Sequence, residues 1–459
     1  MDLTDIYAYV EARRDAYLAD LIDYVARPSI SAHGVGMAEV ADFLVGRLRG
    51  MGMEACLAQT PGWPVVLGRR AGRAGAPTVL LYGHYDVQPP DPLDAWVSPP
   101  FVPEIRGGRI YGRGVGDNKG QHLAQLLAIE AVLACRGDLP CGVIFALEGE
   151  EEVGSPHLAQ FVRERRDELA CDLVVTADGP VHESGRASVL FGVRGVLSFE
   201  LRARGASRDL HSGNFGGVAP NPIWTLVHLL ATMKSARGEI TIDGFYDGIR
   251  PPSDLERQAL DALPVDVPAV MRDLGLLRLD APEERPYSER LALWPTLTVN
   301  GLHGGYGGPG SKTVLPHEAF AKCDMRLVAD QTVEEAFASV QAHVRRYAPE
   351  VEVVFQGGMD PSKTPLDSPY AAPVVSAVRA GYGEEPLLVP ALGGSLPDYV
   401  WTKILGVPAF VTPYANHDEG NHAPNENLEV ERFIGGIRTG VALLCSLGEL
   451  EVSRVRRSL

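Results

Sequence analysis

The chain has 459 residues, 45% of them hydrophobic and 22% charged, so it is long enough for two or more globular domains. Its net charge of −17 argues against nucleic acid or an anionic membrane surface as a partner. It contains no run of about 20 apolar residues that could cross a membrane, and its polar, acidic start does not resemble a secretory signal. The six cysteines lack CxxC spacing, so we expect reduced thiols and a cytoplasmic protein.

Two amphipathic helices are predicted near the start of the chain. Residues 4–26 place apolar side chains at helical spacing, and Pro28 ends this helix. Residues 36–52 form the second helix, which ends at Gly50 and Gly52. A stretch rich in glycine, proline and arginine then leads to the first strand.

The first predicted buried strand is the apolar run 79–82, which His84 and Asp86 follow almost directly. A short apolar run bounded by turn signals is typical of a strand covered on both faces. Three more such runs end in acidic or histidine-bearing loops: 143–147 before 148–152, 173–177 before Asp178, and 408–412 before a loop with His417, Asp418, Glu419 and His422. Because ligands bind at the carboxyl edge of such sheets, these loops predict a metal site on that edge.

A glycine-rich segment at 110–120 precedes a predicted helix at 121–135. Its Gly-Arg-Gly-Val-Gly string lacks the Gly-Lys-Ser/Thr of a phosphate-binding loop, so that function is not predicted. Asp117 precedes the helix, where it is either a metal ligand or only a helix cap. The strand–helix–strand order that follows, with its helix near 155–169, indicates a largely parallel sheet.

Beyond Asp178 the strands alternate apolar and polar residues, which is typical of a sheet with one exposed face. We predict these strands at 197–203, 296–300, 321–327 and 351–355, helices at 223–234 and 333–346, an insertion at 245–290, and later helices at 370–382 and 429–447. The predicted fold class is α/β. A catalytic domain, 1–189 and 358–459, has a mostly parallel sheet with helices on both faces, and an inserted α+β lid or dimerisation domain, 190–357, has an antiparallel sheet.

The candidate ligands combine imidazoles with carboxylates and include no thiolate. They are His84, Asp117, Glu151 or Glu152, Asp178, and His417 or His422. Such a set suits Zn²⁺, Mn²⁺ or Co²⁺ at a catalytic site. Five candidates exceed the three protein ligands of a typical single catalytic zinc, which indicates two ions about 3.5–4 Å apart that share a carboxylate. One carboxylate must stay off the metal to take a proton from water.

Five motifs occur in order along the chain: His84-Tyr-Asp86, Gly114-Val-Gly-Asp117-Asn-Lys-Gly120, Glu148-Gly-Glu-Glu-Glu152-Val-Gly-Ser155, Asp178 and His422. They resemble the co-catalytic metallopeptidases that include aminoacylase, glutamate carboxypeptidase, acetylornithine deacetylase and the carnosinase-type dipeptidases. The dipeptidase branch is the most similar, on Asp209-Leu-His-Ser-Gly213, the glycine-rich 304–316 segment, Met325-Arg-Leu327 and Gly393-Gly-Ser395. The long 245–290 insertion also suits that branch.

The resemblance implies a ligand set. Asp117 bridges two divalent metal ions, most simply Zn²⁺, with Mn²⁺ or Co²⁺ as alternatives. His84 and Asp178 complete the coordination of one ion, and Glu152 and His422 complete that of the other. The peptide bond between Asp117 and Asn118 is expected to be cis, as it often is in this family.

The same motifs indicate which of two neighbouring residues has each role. Gly154-Ser155 fixes the register of the glutamate run, so that Glu152 is the ligand and Glu151 the general base. His422 is preferred to His417 because Gly420-Asn-His422 is followed by Asn425-Glu426, as in the family's pattern.

The remaining roles implied by the resemblance concern orientation and substrate. Asp86 orients His84. His211 reaches the active site of a partner subunit and stabilises the oxyanion there, because the family dimerises through the inserted domain. Arg326, Thr313 and Ser395 hold the substrate carboxylate or carbonyl, and an arginine fork suits a terminal carboxylate.

The sequence thus predicts a cytoplasmic, homodimeric, dinuclear metallohydrolase that cleaves a dipeptide or similar small amide. Water between the metal ions attacks the carbonyl, and Glu151 passes the proton to the leaving amine. The alternative is an N-acyl-amino-acid deacylase or a carboxypeptidase, because all three reactions are attack of metal-activated water on an amide.

Overall fold

The computed structural model of the protein describes residues 3–280 and 285–452. The chain forms two compact units. The first comprises Met1–Gly192, Lys363–Pro390 and Val400–Leu459, and the second comprises Val193–Ser362 and Ala391–Tyr399. Each unit has its own hydrophobic core, which is the larger in the first.

The first unit contains an eight-stranded sheet. In spatial order its strands are Glu54–Ala58, Val65–Arg70, Gly142–Glu148, Thr78–His84, Leu173–Thr176, Ala409–Val411, Ser188–Leu190 and Leu387–Val389. The third to sixth strands in this order pair in parallel. Every residue of Gly142–Glu148 is buried, so both faces of the sheet are covered at this strand. The mostly parallel α/β architecture is therefore confirmed.

The helices of the first unit follow the predicted order, with two differences. They are Thr4–Ala12, Arg14–Val25, Met37–Gly50, Gly120–Arg136, Leu158–Glu164, Ala371–Tyr382 and Val430–Gly448. The single helix predicted at 4–26 is two helices, because Arg13 leaves helical geometry with a ψ of 1°. The helix predicted near 155–169 is shorter, at Leu158–Glu164, since turns flank it on both sides.

The sheet register brings the functional loops to one edge. In the parallel pair of strands His84 lies opposite Glu148, so the glutamate loop starts beside the histidine. On the other side Tyr82 pairs with Thr176, two residues before Asp178. The strand Ala409–Val411 continues the same parallel set. The four predicted strand ends therefore share the carboxyl edge.

The second unit contains a four-stranded antiparallel sheet. Its strands, in spatial order, are Thr296–Gly304, Glu318–Leu327, Gly195–Arg204 and Glu352–Met359. The helices Pro222–Met233 and Val333–Tyr347 pack against this sheet, and a two-residue ladder pairs Leu210–His211 with Val314–Leu315. Three shorter helices, Asp254–Asp261, Val267–Asp273 and Tyr287–Leu293, lie within or at the end of the 245–290 insertion. Within the described residues, no helix is both long and apolar enough to cross a membrane.

Candidate metal centre

His84 is the most deeply buried member of a cluster of histidines and carboxylates in the first unit. It ends the strand Thr78–His84 and is 0% exposed. Its Nε2 lies 3.1 Å from Oδ1 of Asp117 and 3.8 Å from Oδ2 of Asp178. The ligand atoms of His84, Asp117 and Glu152 all lie within 4.8 Å of one another.

Asp117 lies between two imidazoles. Its Oδ1 faces His84, and its Oδ2 lies 3.0 Å from Nε2 of His422. The helix that follows begins only at Gly120 and is preceded by Lys119, while Asp117 itself has non-helical dihedral angles, so the interpretation of Asp117 as a mere helix cap is wrong. The peptide bond from Asp117 to Asn118 is cis, as expected.

The two histidines of the last loop differ in their surroundings. His422 Nε2 lies 3.1 Å from Oε2 of Glu152 as well as close to Asp117. His422 has a φ of 57°, a left-handed conformation that is uncommon outside glycine. His417 is exposed. The loop therefore brings His422 into the cluster.

The glutamate run is divided among different partners. Glu148 accepts hydrogen bonds from Tyr82 and Ser155, and the carboxylate of Glu150 lies 2.7 Å from Nδ1 of His157. Glu152 faces His422 and also accepts from the backbone N–H of Gln88. Of these three glutamates, Glu152 is therefore the one whose carboxylate contacts His422.

Asp86 connects the first loop to the glutamate run. Its carboxylate accepts the backbone N–H groups of Glu151 and Glu152, at 3.3 and 3.1 Å. Its main-chain carbonyl lies 3.0 Å from Nδ1 of His84, and its carboxylate lies 3.4 Å from the same atom. A histidine whose second ring nitrogen is held in this way presents Nε2 in a fixed direction.

Burial and mutual repulsion shape the electrostatics of the cluster. Burial raises the pKa of Glu151 well above its usual range, and the charges of Asp178, Asp117 and Glu152 reinforce that shift. Burial and the charge of Asp117 raise the pKa of Asp178 to about 7. Burial alone would raise the pKa of Asp117 as well, but hydrogen bonds from His422 and His84 lower it overall. The cluster therefore concentrates negative charge around the buried side chains of His84, Asp117 and Asp178, while the side chain of His422 is 53% exposed to solvent.

The pKa values of both histidines are raised, which favours their positively charged form. Hydrogen bonds to Asp117 and Glu152 raise the pKa of His422 to about 10. Burial opposes the charged form of His84, yet Asp117 and Asp86 raise its pKa well above the usual range. Imidazole nitrogens and carboxylate oxygens that converge in this way are the donors that Zn²⁺, Mn²⁺ and Co²⁺ accept. The residues present thus fit divalent cations.

Four of the predicted site residues belong to the second unit, as two pairs. His211 and Thr313 are exposed, with Nε2 and Oγ1 3.4 Å apart, and His211 Nδ1 accepts the backbone N–H of Gly213. Nη1 of Arg326 donates to Oγ of Ser395 at 2.8 Å. Neither pair belongs to the buried cluster of the first unit.

Two buried ion-pair partners were not predicted as part of the site. Arg113 donates to Glu426 at 2.7 Å, and Glu426 also accepts the backbone N–H groups of Gly114, Gly116 and Asp117. Glu426 thereby fixes the turn that carries Asp117. The Asn-Glu dipeptide after His422 was the available sequence signal, but nothing in the sequence connects it to Arg113.

Arg194 was missed altogether. It is 7% exposed, and two of its nitrogens donate to the carbonyl of Gly393, at 2.7 and 2.9 Å. It thereby holds the turn that carries Ser395. Burial and the charge of Arg326 lower the pKa of Arg194 to about 10.

The chain is similar to known proteins along nearly its whole length. Residues 80–446 match the model of peptidase family M20/M25/M40. The chain is 28% identical to human Beta-Ala-His dipeptidase, over 98% of this chain and 93% of that protein. It is 29% identical to the Cys-Gly metallodipeptidase of Schizosaccharomyces pombe, over 95% and 97%. The crystal structure of an M20 family metallo-carboxypeptidase from Sulfolobus solfataricus superposes with a TM-score of 0.87, at 33% identity over 95% of this chain and 99% of that one.

Proposed function

The chain belongs to peptidase family M20/M25/M40, and from that premise we propose that it is a dinuclear metallopeptidase that hydrolyses dipeptides. The relatives named as dipeptidases match this chain along nearly its full length. The observation that carries the proposal is the group of buried His84 and Asp117 with partly buried Glu152, whose ligand atoms lie within 4.8 Å of one another.

We assign five side chains to two divalent cations, with Zn²⁺ preferred over Mn²⁺ and Co²⁺. Asp117 is shared, since its two oxygens face different imidazoles. His84 and Asp178 are assigned to one cation, and Glu152 and His422 to the other. When bound, such cations polarise a substrate carbonyl and lower the pKa of water.

Glu151 is the proposed general base. It is adjacent to Glu152, and its backbone N–H is held by Asp86. The environment favours proton uptake by its carboxylate, since burial and the surrounding carboxylates raise its pKa. Glu151 would take a proton from the attacking water and deliver it to the leaving amine.

The second unit is proposed to bind the substrate. A guanidinium next to a hydroxyl, as in Arg326 and Ser395, recognises a terminal carboxylate by charge and geometry. His211 with Thr313 is assigned to the oxyanion, and the exposure of both groups leaves them accessible to a ligand. Small peptides with a free carboxylate are therefore the expected substrates.

We propose a homodimer formed through the inserted domain, 190–357. Two exposed features of the second unit support it. Thr296–Gly304 is an edge strand of the antiparallel sheet with mostly exposed residues, and Pro222–Met233 presents Trp224 and Val227, which are 60% and 37% exposed. Exposed edges and apolar side chains of this kind favour pairing with another chain. A cytoplasmic location is proposed because the six cysteines are free thiols.

A carboxypeptidase is the second candidate function, because the solved structure reported above is a metallo-carboxypeptidase at 33% identity. The two activities differ at the amino end of the substrate. A dipeptidase needs a free amino group one residue before the scissile bond, whereas a carboxypeptidase accepts blocked or longer chains. A deacylase would cleave N-acetyl amino acids instead.

The test is hydrolysis by metal-stripped protein after Zn²⁺, Mn²⁺ or Co²⁺ is added back. The substrates are Ala-Ala, an N-blocked Ala-Ala and N-acetylalanine. Metal-dependent cleavage of Ala-Ala alone supports the proposal. Cleavage of the blocked dipeptide favours the carboxypeptidase, and cleavage of N-acetylalanine favours the deacylase. Two bound ions without any turnover would contradict all three.

A further inference from the structure

Glu419 is a buried carboxylate of the first unit to which no role has been given so far. It lies in the last loop, three residues before His422, and is 1% exposed. Neither of its carboxylate oxygens has a hydrogen-bond partner among residues 3–280 and 285–452. Burying a carboxylate without a partner costs several kcal/mol or more in a protein interior.

The side chain of Glu419 lies against the turn that carries Asp117. A Cβ at Gly116 would come within 2.1 Å of Oε2 of Glu419, so only glycine at 116 leaves room for this carboxylate. The backbone of Glu419 is fixed at the same time. Its N–H donates to Asn416, and its carbonyl accepts from the N–H and the side-chain amide of Asn427. The loop thus places the carboxylate beside Gly116.

Other carboxylates around this turn all have partners. Glu426 pairs with Arg113 and three backbone N–H groups, and Asp178 accepts the N–H of Gly179. Asp117 faces two histidines. Burial raises the pKa of Glu419 well above its usual range, and the negative charges of Asp117, Glu426 and Asp178 reinforce that shift, whereas His422 opposes it. Unlike these three carboxylates, Glu419 has no hydrogen-bond donor among the described residues to offset its charge.

We propose that Glu419 is a further carboxylate of the metal centre, one that increases the affinity of the site for divalent cations through its charge. The inference rests on the dinuclear centre proposed above. Cations held by Asp117 would lie close to Glu419, and charge interactions across a buried, poorly solvated space are strong. Glu419 is a positioning residue in this scheme, and it would act on the site through its charge.

The experiment compares wild-type protein with Glu419→Gln in two measurements. The first is titration of the metal-free proteins with Zn²⁺ against a competing chelator. We expect Glu419→Gln to bind one or both ions about 10- to 100-fold more weakly, the usual loss when a residue behind the ligands is removed. The second is the unfolding temperature of the metal-free protein, which should rise in Glu419→Gln because an uncompensated buried charge is removed.

Two further variants complete the design. Glu419→Asp keeps the charge and should recover most of the Zn²⁺ affinity. Asp398→Asn removes another buried carboxylate, which is 2% exposed, belongs to the second unit and accepts from Ser362 at 3.0 Å. This control should leave the Zn²⁺ affinity unchanged.

The outcomes separate this inference from the proposed function. Zn²⁺ affinity within twofold of wild type in Glu419→Gln would overturn the inference, and so would unfolding temperatures that fall equally in the metal-free and metal-loaded variant. Failure of the wild-type protein to bind Zn²⁺ would instead overturn the dinuclear centre itself. If Glu419→Gln does not fold, Glu419→Asp provides the test. A Zn²⁺ affinity of Glu419→Asp as low as that of a variant that lacks one of the metal ligands would contradict a role through charge.

Discussion

The two units present their candidate functional groups in different ways. In the first unit His84, Asp178 and Asp117 are 0%, 5% and 8% exposed, although the side chain of His422 is 53% exposed. In the second unit His211 is exposed, and Arg326 is only half-buried. The first arrangement follows from a sheet covered on both faces, where polar side chains gather at the strand ends. The second follows from an antiparallel sheet that faces solvent in part.

Because of this difference, only the carboxylates of the first unit need an opposite charge to offset their mutual repulsion. Carboxylates packed together out of water repel one another, and a cation between them offsets that repulsion. Exposed groups such as His211 keep their hydration and lose it only when a ligand arrives. We therefore expect substitutions in the first unit to change metal content, and substitutions in the second to change catalysis or substrate binding at unchanged metal content.

The largest effect is expected for Asp117→Ala. Removing the carboxylate between two imidazoles should abolish binding of at least one ion and lower kcat/KM by about 1,000-fold or more. Metal analysis of the purified variant, with circular dichroism as the control for folding, checks this. Retention of both ions would contradict the assignment of Asp117 as the shared ligand.

Glu151→Gln should separate chemistry from metal binding within the first unit. We expect kcat to fall by about 100- to 10,000-fold with both ions retained, because the amide cannot accept the proton. Single-turnover kinetics and metal analysis measure the two properties. Near-normal turnover with metals bound would rule out Glu151 as the base.

His211→Ala tests a candidate catalytic residue of the second unit. Loss of an oxyanion donor should lower kcat by about 100- to 1,000-fold without loss of metal. If His211 acts in a partner's site, mixing this variant with Glu151→Gln should restore activity in the mixed dimer, since one site would then be intact. An inactive mixture would count against a shared site.

Arg326→Lys should have a smaller effect that is confined to binding. A lysine keeps the charge but cannot form the two parallel hydrogen bonds of a guanidinium, so KM should rise about 10- to 100-fold with little change in kcat. A dipeptide with a C-terminal amide is the matched control, because the substitution should barely affect its KM. An equal loss on both substrates would exclude recognition of the carboxylate.

The last prediction concerns the pH dependence of stability rather than activity. Burial raises the pKa of Asp398 to about 6, against 3.8 for the ordinary carboxyl. Between these values the folded protein holds a proton that the unfolded chain has lost, so the free energy of unfolding falls as pH rises from about 4 to 6. Asp398→Asn should remove this loss, about 3 kcal/mol, and be the more stable protein at pH 7. Denaturant unfolding at pH 4 and pH 7 measures it, and an unchanged pH dependence would contradict it.

Much of the architecture could be predicted from local sequence. The apolar runs before His84, Glu148 and Asp178 are strands, and the alternating segments form the antiparallel sheet. Such patterns are readable because side-chain period and burial are properties of short segments. The division of the first predicted helix at Arg13 could not be predicted, since the apolar spacing continues through this residue.

The sequence by itself determined the two kinds of sheet, the family and the set of candidate ligands, because these depend on periodicity and on motifs of a few residues. Only the tertiary structure decided which partners each buried charge has. It pairs Arg113 with Glu426, more than 300 residues away, brings His422 rather than His417 to Asp117, and leaves Glu419 buried without a partner. Such pairings depend on how distant loops meet at a sheet edge, and the cost of burying a charge is set by that meeting.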